Sequence, residues 1–318
     1  MNICEYIREK SIKNLFDMNS FSNCWDVWKP QIESKLNIND PSTIFNLGDE
    51  LSSIFKSTSN GGRQNMTNGN DAQGSLSAGG SCWEGLVCWY LNLCLIGTRV
   101  VVIKHSKKLI PTPIADAITV CYDNFKSNTE SDIVALIFPN DPMFTSDINN
   151  LQQYLPDDIT LFNRAGNFNY NKVVDKLTEL KFNDINICVI QCKTNWNDNA
   201  QIPMLWDMIY SGNSFSRGIT VGSNGYHINP STFKYAFVTV PTNNTTYLPN
   251  TTAVKRVRNL SGGNYWGRDT VNDVAKSIKE IITTNFSNGI NGVSIRNSIQ
   301  NNICNLNSIY DYFNINIT

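Results

Sequence analysis

Charge is scarce in this sequence. Asp, Glu, Lys and Arg make up 17% of its 318 residues and nearly cancel, leaving a formal net charge of −1. Such a chain has no bulk attraction for nucleic acid or for an anionic membrane, so any such partner must be held by a local basic patch. A patch suffices, because affinity for DNA follows the phosphates neutralised at the interface. Histidine is rarer still. The only two, His105 and His227, lie far apart without HxxxH or HNH-like company, which leaves histidine-ligated metal and Ser-His-Asp catalysis without support. No CxxC pair occurs either. The nine cysteines (Cys4, Cys24, Cys82, Cys88, Cys94, Cys121, Cys188, Cys192 and Cys304) are odd in number and mostly embedded in apolar runs. They are read as reduced, buried thiols of a cytoplasmic protein rather than as zinc ligands or a disulfide framework.

Long hydrophobic runs are absent as well. The most apolar stretch, GLVCWYLNLCLIG (85–97), is interrupted by Asn92 and is too short to span a bilayer. The opening MNICEYIREKSIKNLF carries Glu5, Arg8 and Glu9 and has no continuous apolar core, so it is not expected to be a signal peptide. No membrane partner is expected. GGNYWGRD (262–269) has a glycine spacing faintly like a phosphate-binding loop, but Arg268 and Asp269 stand where lysine and a hydroxyl residue belong.

What is present is an ordinary globular composition, 41% hydrophobic and 11% aromatic, enough for one large domain or two modest ones. Residues 1–57 read as helical, with Trp25 and Trp28 near a helix end at Pro30. Residues 58–81 are rich in Gly, Asn and Ser and read as a long loop. Residues 82–210 alternate helical and strand patterns: a helix from Cys82 to Ile96, strands RVVVIK (99–104), DIVALIF (132–138) and INICVIQCK (185–193), and helices over 114–124, within the insert 140–184, and over 200–210. That order predicts an α/β core with a mixed sheet. Residues 211–318 add strands ITVG and KYAFVTV, then helices.

One strand end raises a chemical question. In INICVIQCK the alternation sets Ile185, Ile187, Val189, Gln191 and Lys193 on one face and Asn186, Cys188, Ile190 and Cys192 on the other. Gln191 and Lys193 therefore project together, roughly 7 Å apart. Asp132 opens the preceding strand, with Glu130 two residues earlier, and Glu84 lies at the start of the helix that follows GGS. An acid ahead of one apolar strand, followed by a strand ending in acid-or-amide, any residue and lysine, suits phosphodiester hydrolysis. That reaction needs a deprotonated water and stabilisation of extra negative charge, which divalent metals held by carboxylates supply. Mg²⁺ takes few protein ligands and keeps several waters. Plainer roles stand beside these: a solvated strand start for Asp132, a solvated strand end for Gln191 and Lys193, and for Glu84 a capping box with Ser81.

On these residues the sequence resembles a known family. NTESDIVALIFP followed by VIQCKTN looks like the PD-(D/E)xK nuclease superfamily, with Asp132 as the motif aspartate, Gln191 in place of the second acid and Lys193 as the motif lysine. GGSCWEGLVCWYLNL resembles the glutamate-bearing helix that many type II restriction endonucleases set beside this site. The resemblance covers residues 79–210 and departs in two places: SD replaces PD, and Gln191 is neutral. It implies a restriction-endonuclease-like core, a mixed central sheet flanked by helices, with Mg²⁺ held by Asp132, the Cys192 backbone carbonyl and Glu84. It also implies cleavage of double-stranded DNA by a homodimer at a short palindromic site, and a companion DNA methyltransferase.

Groups suited to DNA contact lie on both sides of that core. Lys104, Lys107 and Lys108 follow the first strand, and Asn195 follows the lysine motif. Lys255, Arg256 and Arg258, with Asn264, Tyr265 and Arg268, form the better candidate for reading bases, since arginine pairs bidentately with guanine and asparagine with adenine. A charged loop after a strand is otherwise simply solvated.

Overall fold

The chain opens on helix α1 (Ile3–Phe16), whose N-cap Asn2 accepts the Glu5 amide through its side chain at 2.9 Å. The structure, a computed structural model, describes residues 1–63, 71–104, 106, 108–127, 131–193, 219–239, 264–265, 277–290 and 295–317. Helices α2 (Asn19–Glu33), α3 (Ser42–Asn46), α4 (Leu51–Arg63) and α5 (Asp71–Cys94) come next. They lead into β1 (Val100–Lys104), α6 (Thr112–Ala117), the short strands β2 (Val120–Tyr122) and β3 (Phe125–Ser127), and β4 (Ile133–Ile137). After α7 (Pro142–Thr145) and α8 (Tyr170–Leu180) come β5 (Asn186–Lys193), β6 (Ile219–Val221), β7 (Phe233–Thr239) and β8 (Asn264–Tyr265). Helices α9 (Glu280–Asn285) and α10 (Ile295–Asn302) follow, and short 3-10 turns at Ile303–Asn305 and Asp311–Phe313 lead to the last described residue, 317.

Among the described residues, five strands form the central sheet in the order β1-β4-β5-β7-β8. The β1–β4 and β4–β5 pairings are antiparallel, β5–β7 and β7–β8 parallel, so the sheet is mixed. Alternation along the strands divides the core into two layers. Ile187 and Val189 of β5 join Val101, Val134 and Leu136 and pack under α8 through Val173, Val174 and Leu177. Cys188, Ile190 and Cys192 join Val100, Val102 and Ile133 and pack under α5 through Trp83, Leu86 and Trp89. The architecture is thus mixed α/β, a mixed sheet flanked by helices, and β5 shows the two-face division that its sequence predicts. A separate antiparallel sheet runs β3-β2-β6.

Three expectations need correction. Where it is described, the segment 58–81 is helical, because α4 runs on to Arg63 and α5 begins at Asp71. Glycine and asparagine cost a helix up to about 1 kcal/mol each, but extending a helix anchored by a buried apolar end avoids a second nucleation. Proline does not end α2, since Pro30 sits inside its final turn. The helix expected over 114–124 stops at Ala117; β2 then pairs with β3 across Asp123 and Asn124, with Asp123 at φ 50°. The β-branched Thr119 and Val120 favour a strand, and an Asp-Asn pair tolerates the left-handed turn.

The outer edge of β1 is closed by side chains. An edge strand presents unpaired backbone groups; here the Asn92 carboxamide, fully buried on α5, accepts the Val102 N–H at 3.1 Å and donates to the Val102 carbonyl at 2.6 Å. Ser11 Oγ of α1 donates to the same carbonyl at 2.9 Å. Asn92 Oδ1 also accepts from Arg8, a buried guanidinium that pairs with Glu5 and donates to the Thr98 carbonyl. The residue that interrupts the apolar run 85–97 is therefore the one that stands in for a missing strand.

Candidate active site

The described members of the predicted site gather at one end of the central sheet. Lys104, the last residue of β1, is in register with Ile133, and Ile133 with Ile190 of β5. One residue further along the antiparallel pair, Asp132 stands opposite Gln191. The Asp132 carboxylate turns across to β5, where Oδ2 accepts the Cys192 amide at 2.8 Å. It thereby replaces a ladder acceptor where β4 has not yet begun. Asp132 is half-buried and its neighbour Ser131 is buried.

Gln191 is only 3% exposed. Its Oε1 accepts the Tyr235 hydroxyl at 3.2 Å. The parallel β5–β7 register sets Tyr235 beside Val189, so tyrosine and glutamine share the α8 side of the sheet. Sequence reasoning misses Tyr235. Its signal is modest: a phenol alternating with apolar residues in KYAFVTV, on a strand that pairs with the lysine-bearing one. The backbone of Lys193 ends β5, two residues beyond Gln191; its side chain lies outside what is described.

Glu84 is part of the same sheet end but belongs to the other face. Its carboxylate pairs with Lys104 Nζ at 3.0 Å, and that ammonium also donates to Ser81 Oγ at 2.8 Å. Lys104 shares its face with Val100 and Val102, the layer under α5. Because α5 begins at Asp71, Ser81 lies well inside the helix, so Ser81 and Glu84 do not form an N-terminal capping box.

Among the described residues no three His, Cys, Asp or Glu side chains come together to hold a metal ion. Apart from the Glu84–Lys104 pair, the sheet end offers the Asp132 carboxylate, the Cys192 carbonyl on the strand it meets, and the Gln191 amide oxygen, which takes the Tyr235 hydroxyl on the β7 side. These are hard oxygen donors, the kind Mg²⁺ takes with water completing its shell. Lys108, exposed on the turn after β1, lines an open cavity of about 680 Å³ with Lys10, Lys13, Asp17 and Asp311. Carboxylates and ammoniums are mixed there. Of the remaining predicted DNA contacts, Asn264 and Tyr265 are described in backbone alone as β8. Lys107, Asn195, Lys255, Arg256, Arg258 and Arg268, together with Glu130, lie outside the described residues. No helix among the described residues is long and apolar enough to cross a membrane.

No family model matches this sequence, and no curated protein matches it.

Proposed function

We propose that this chain is a Mg²⁺-dependent phosphodiesterase with a restriction-endonuclease-like core, a type II restriction endonuclease cutting double-stranded DNA at a short specific sequence. One relationship carries the reading: Asp132 meets the end of β5 across from Gln191, at the strand end where Lys193 follows. In this reading Asp132, the Gln191 amide oxygen and the Cys192 carbonyl would hold the cation, and Glu84, which lies on the other face of the sheet, would add a second carboxylate only by leaving Lys104 and reaching round the sheet end. The cation's contribution is to offset charge on the attacked phosphate and to lower the pKa of water. Lys193 orients the attacking water and offsets the negative charge that builds on the phosphorane. The Tyr235 hydroxyl, which donates to the Gln191 oxygen at 3.2 Å, orients that carboxamide. The duplex would run across the sheet end, with Lys104 and Lys108 near phosphates and the region from 211 onward reading bases, in a cytoplasmic homodimer whose host DNA a companion methyltransferase protects.

The test is a digest of unmethylated phage-sized DNA with and without about millimolar Mg²⁺, run beside Lys193→Ala. Discrete Mg²⁺-dependent fragments that the variant fails to produce support the proposal. Cutting by Lys193→Ala at the parent rate removes the assigned role. Unspecific degradation instead of discrete bands would indicate a repair or processing nuclease of the same superfamily.

A second reading, a DNA-binding module of this fold without activity, draws on a specific observation. Gln191 is neutral, buried and engaged by Tyr235, and Glu84 is engaged by Lys104. DNA retardation without nicking at any enzyme concentration would favour it.

A further inference from the structure

Two of the nine cysteines touch. Cys24 on α2 and Cys82 on α5 bring their sulfurs within 3.4 Å, 58 residues apart in sequence. Cys24 is half-buried, so solvent reaches one side of the pair, whereas Cys82 is buried and also contacts the Ser20 carbonyl at 3.3 Å. We propose that Cys24 and Cys82 form a reversible dithiol–disulfide modification site that reacts with small disulfides of the glutathione class. The distance must fall from 3.4 Å to about 2.0 Å for a covalent S–S bond, which side-chain rotation and an approach of the two helices would have to supply.

Each exchange conserves atoms and electrons. The Cys24 thiolate attacks one sulfur of the small disulfide, forming a mixed disulfide and releasing one thiolate. Cys82 then gives its proton to solvent and attacks the Cys24 sulfur, expelling the second small thiolate. Two protein thiols are oxidised and one small disulfide is reduced to two thiols; excess small thiol reverses both exchanges. The order of attack follows from environment. The adjoining Cys82 thiol lowers the pKa of Cys24 below that of an ordinary thiol, whereas burial pushes Cys4, Cys94 and Cys188 up to about 12 and Cys88 up to about 11. Thiolate is the reactive form, so these four buried thiols stay inert where Cys24 reacts.

The location gives the bond a structural consequence. It would tie α2 to the turn of α5 on which Ser81 and Glu84, either side of the cysteine, both hold Lys104. Oxidation thus acts on the segment that fixes the terminal lysine of β1. Of the protein's groups the exchange uses only these two sulfurs, and it is independent of nuclease activity.

The experiment incubates the full chain, natively folded, in glutathione buffers of increasing oxidised fraction. Samples are quenched with acid and N-ethylmaleimide, and disulfides are mapped by peptide mass spectrometry. The expected result is one internal cross-link, Cys24 to Cys82, that forms before any other and is reversed by dithiothreitol. The thermal midpoint of the oxidised protein should rise, because the closed loop has less freedom when unfolded. Cys24→Ser should remove the cross-link and leave Cys82 unmodified. Glutathione adducts at Cys24 without an internal bond, or cross-links scattered over other cysteines, would overturn the assignment. The map of the unaltered chain decides the matter even where a substituted variant fails to fold.

Discussion

Asp132 and Cys192 are joined across two strands: the carboxylate of the residue that precedes β4 accepts the amide of the residue before the end of β5, at 2.8 Å. The aspartate thus has a structural task beside the chemical one proposed for it, and two substitutions separate them. Asp132→Asn keeps an oxygen able to accept the Cys192 N–H, so its thermal midpoint should stay near that of the parent. Asp132→Ala removes this acceptor from the Cys192 amide, a loss of about 1–3 kcal/mol. Cutting of plasmid DNA should fall in both by about a hundredfold or more, the scale for losing one preorganised electrostatic group. Parent-rate cutting by Asp132→Asn would leave only the structural task.

Tyr235 and Gln191 make a second separable pair. Tyr235→Phe removes the donor to a buried amide oxygen and should cost about 1 kcal/mol in chemical denaturation. Gln191→Glu puts a carboxylate where the parent residue is 3% exposed, so the variant alone should be less stable. If this oxygen faces a cation, Mg²⁺ should restore the variant, raising its thermal midpoint more than that of the parent by mass action. Identical responses of the two proteins to Mg²⁺ would take Gln191 out of the cation site.

Legibility in the sequence follows the range of the forces involved. The face division of β5 can be read from Ile187, Val189 and Cys188 because alternation is local and burial on both sides enforces it. Order along the chain suggests that Asp132 and Gln191 belong together, whereas their actual opposition depends on the β4–β5 register, a long-range quantity. Glu84 shows the limit. Its sequence context suggests a helix start, but the helix extends back to Asp71 and the carboxylate meets Lys104, a partner that only the packing of α5 on β1 supplies. Tyr235 gives only a modest signal for the same reason, since its hydroxyl gains meaning from a parallel neighbour strand. Asn92 resembles a flaw in an apolar helix; its role needs the edge of β1 beside it.

The buried Arg8 and Glu5 predict an asymmetric double-mutant cycle. Arg8 is fully buried, paired with Glu5 at 3.1 Å, while Glu5 also accepts the Gly97 amide at 2.9 Å. Removing one charge leaves the other uncompensated, so Arg8→Met should cost about 3–5 kcal/mol. Adding Glu5→Gln should recover part of that loss, because the remaining amide can still accept the Gly97 N–H. Urea denaturation of the two singles and the double measures the coupling; strictly additive effects would mean that the pair contributes nothing as a pair.

Glu84 gives the sharpest division between cation ligand and partner of Lys104. Its carboxylate pairs with Lys104 at 3.0 Å, with both side chains largely shielded from solvent. A ligand role requires a low-cost exchange of ammonium for cation, and bringing Mg²⁺ and a DNA phosphate to this sheet end would provide it, since the phosphate can accept Lys104 in turn. The expected behaviour of Glu84→Gln is therefore slower cutting together with a higher Mg²⁺ concentration for half-maximal rate. Lys104→Met should behave differently: it frees the carboxylate, so the Mg²⁺ requirement should not rise while DNA affinity at low salt should fall, with a shallower salt dependence. Magnesium titrations of the cutting rate for the two variants read this directly. The same loss in both, at an unchanged Mg²⁺ requirement, would mean that Glu84 acts only by holding Lys104, and that the cation is served by Asp132 and the end of β5 alone.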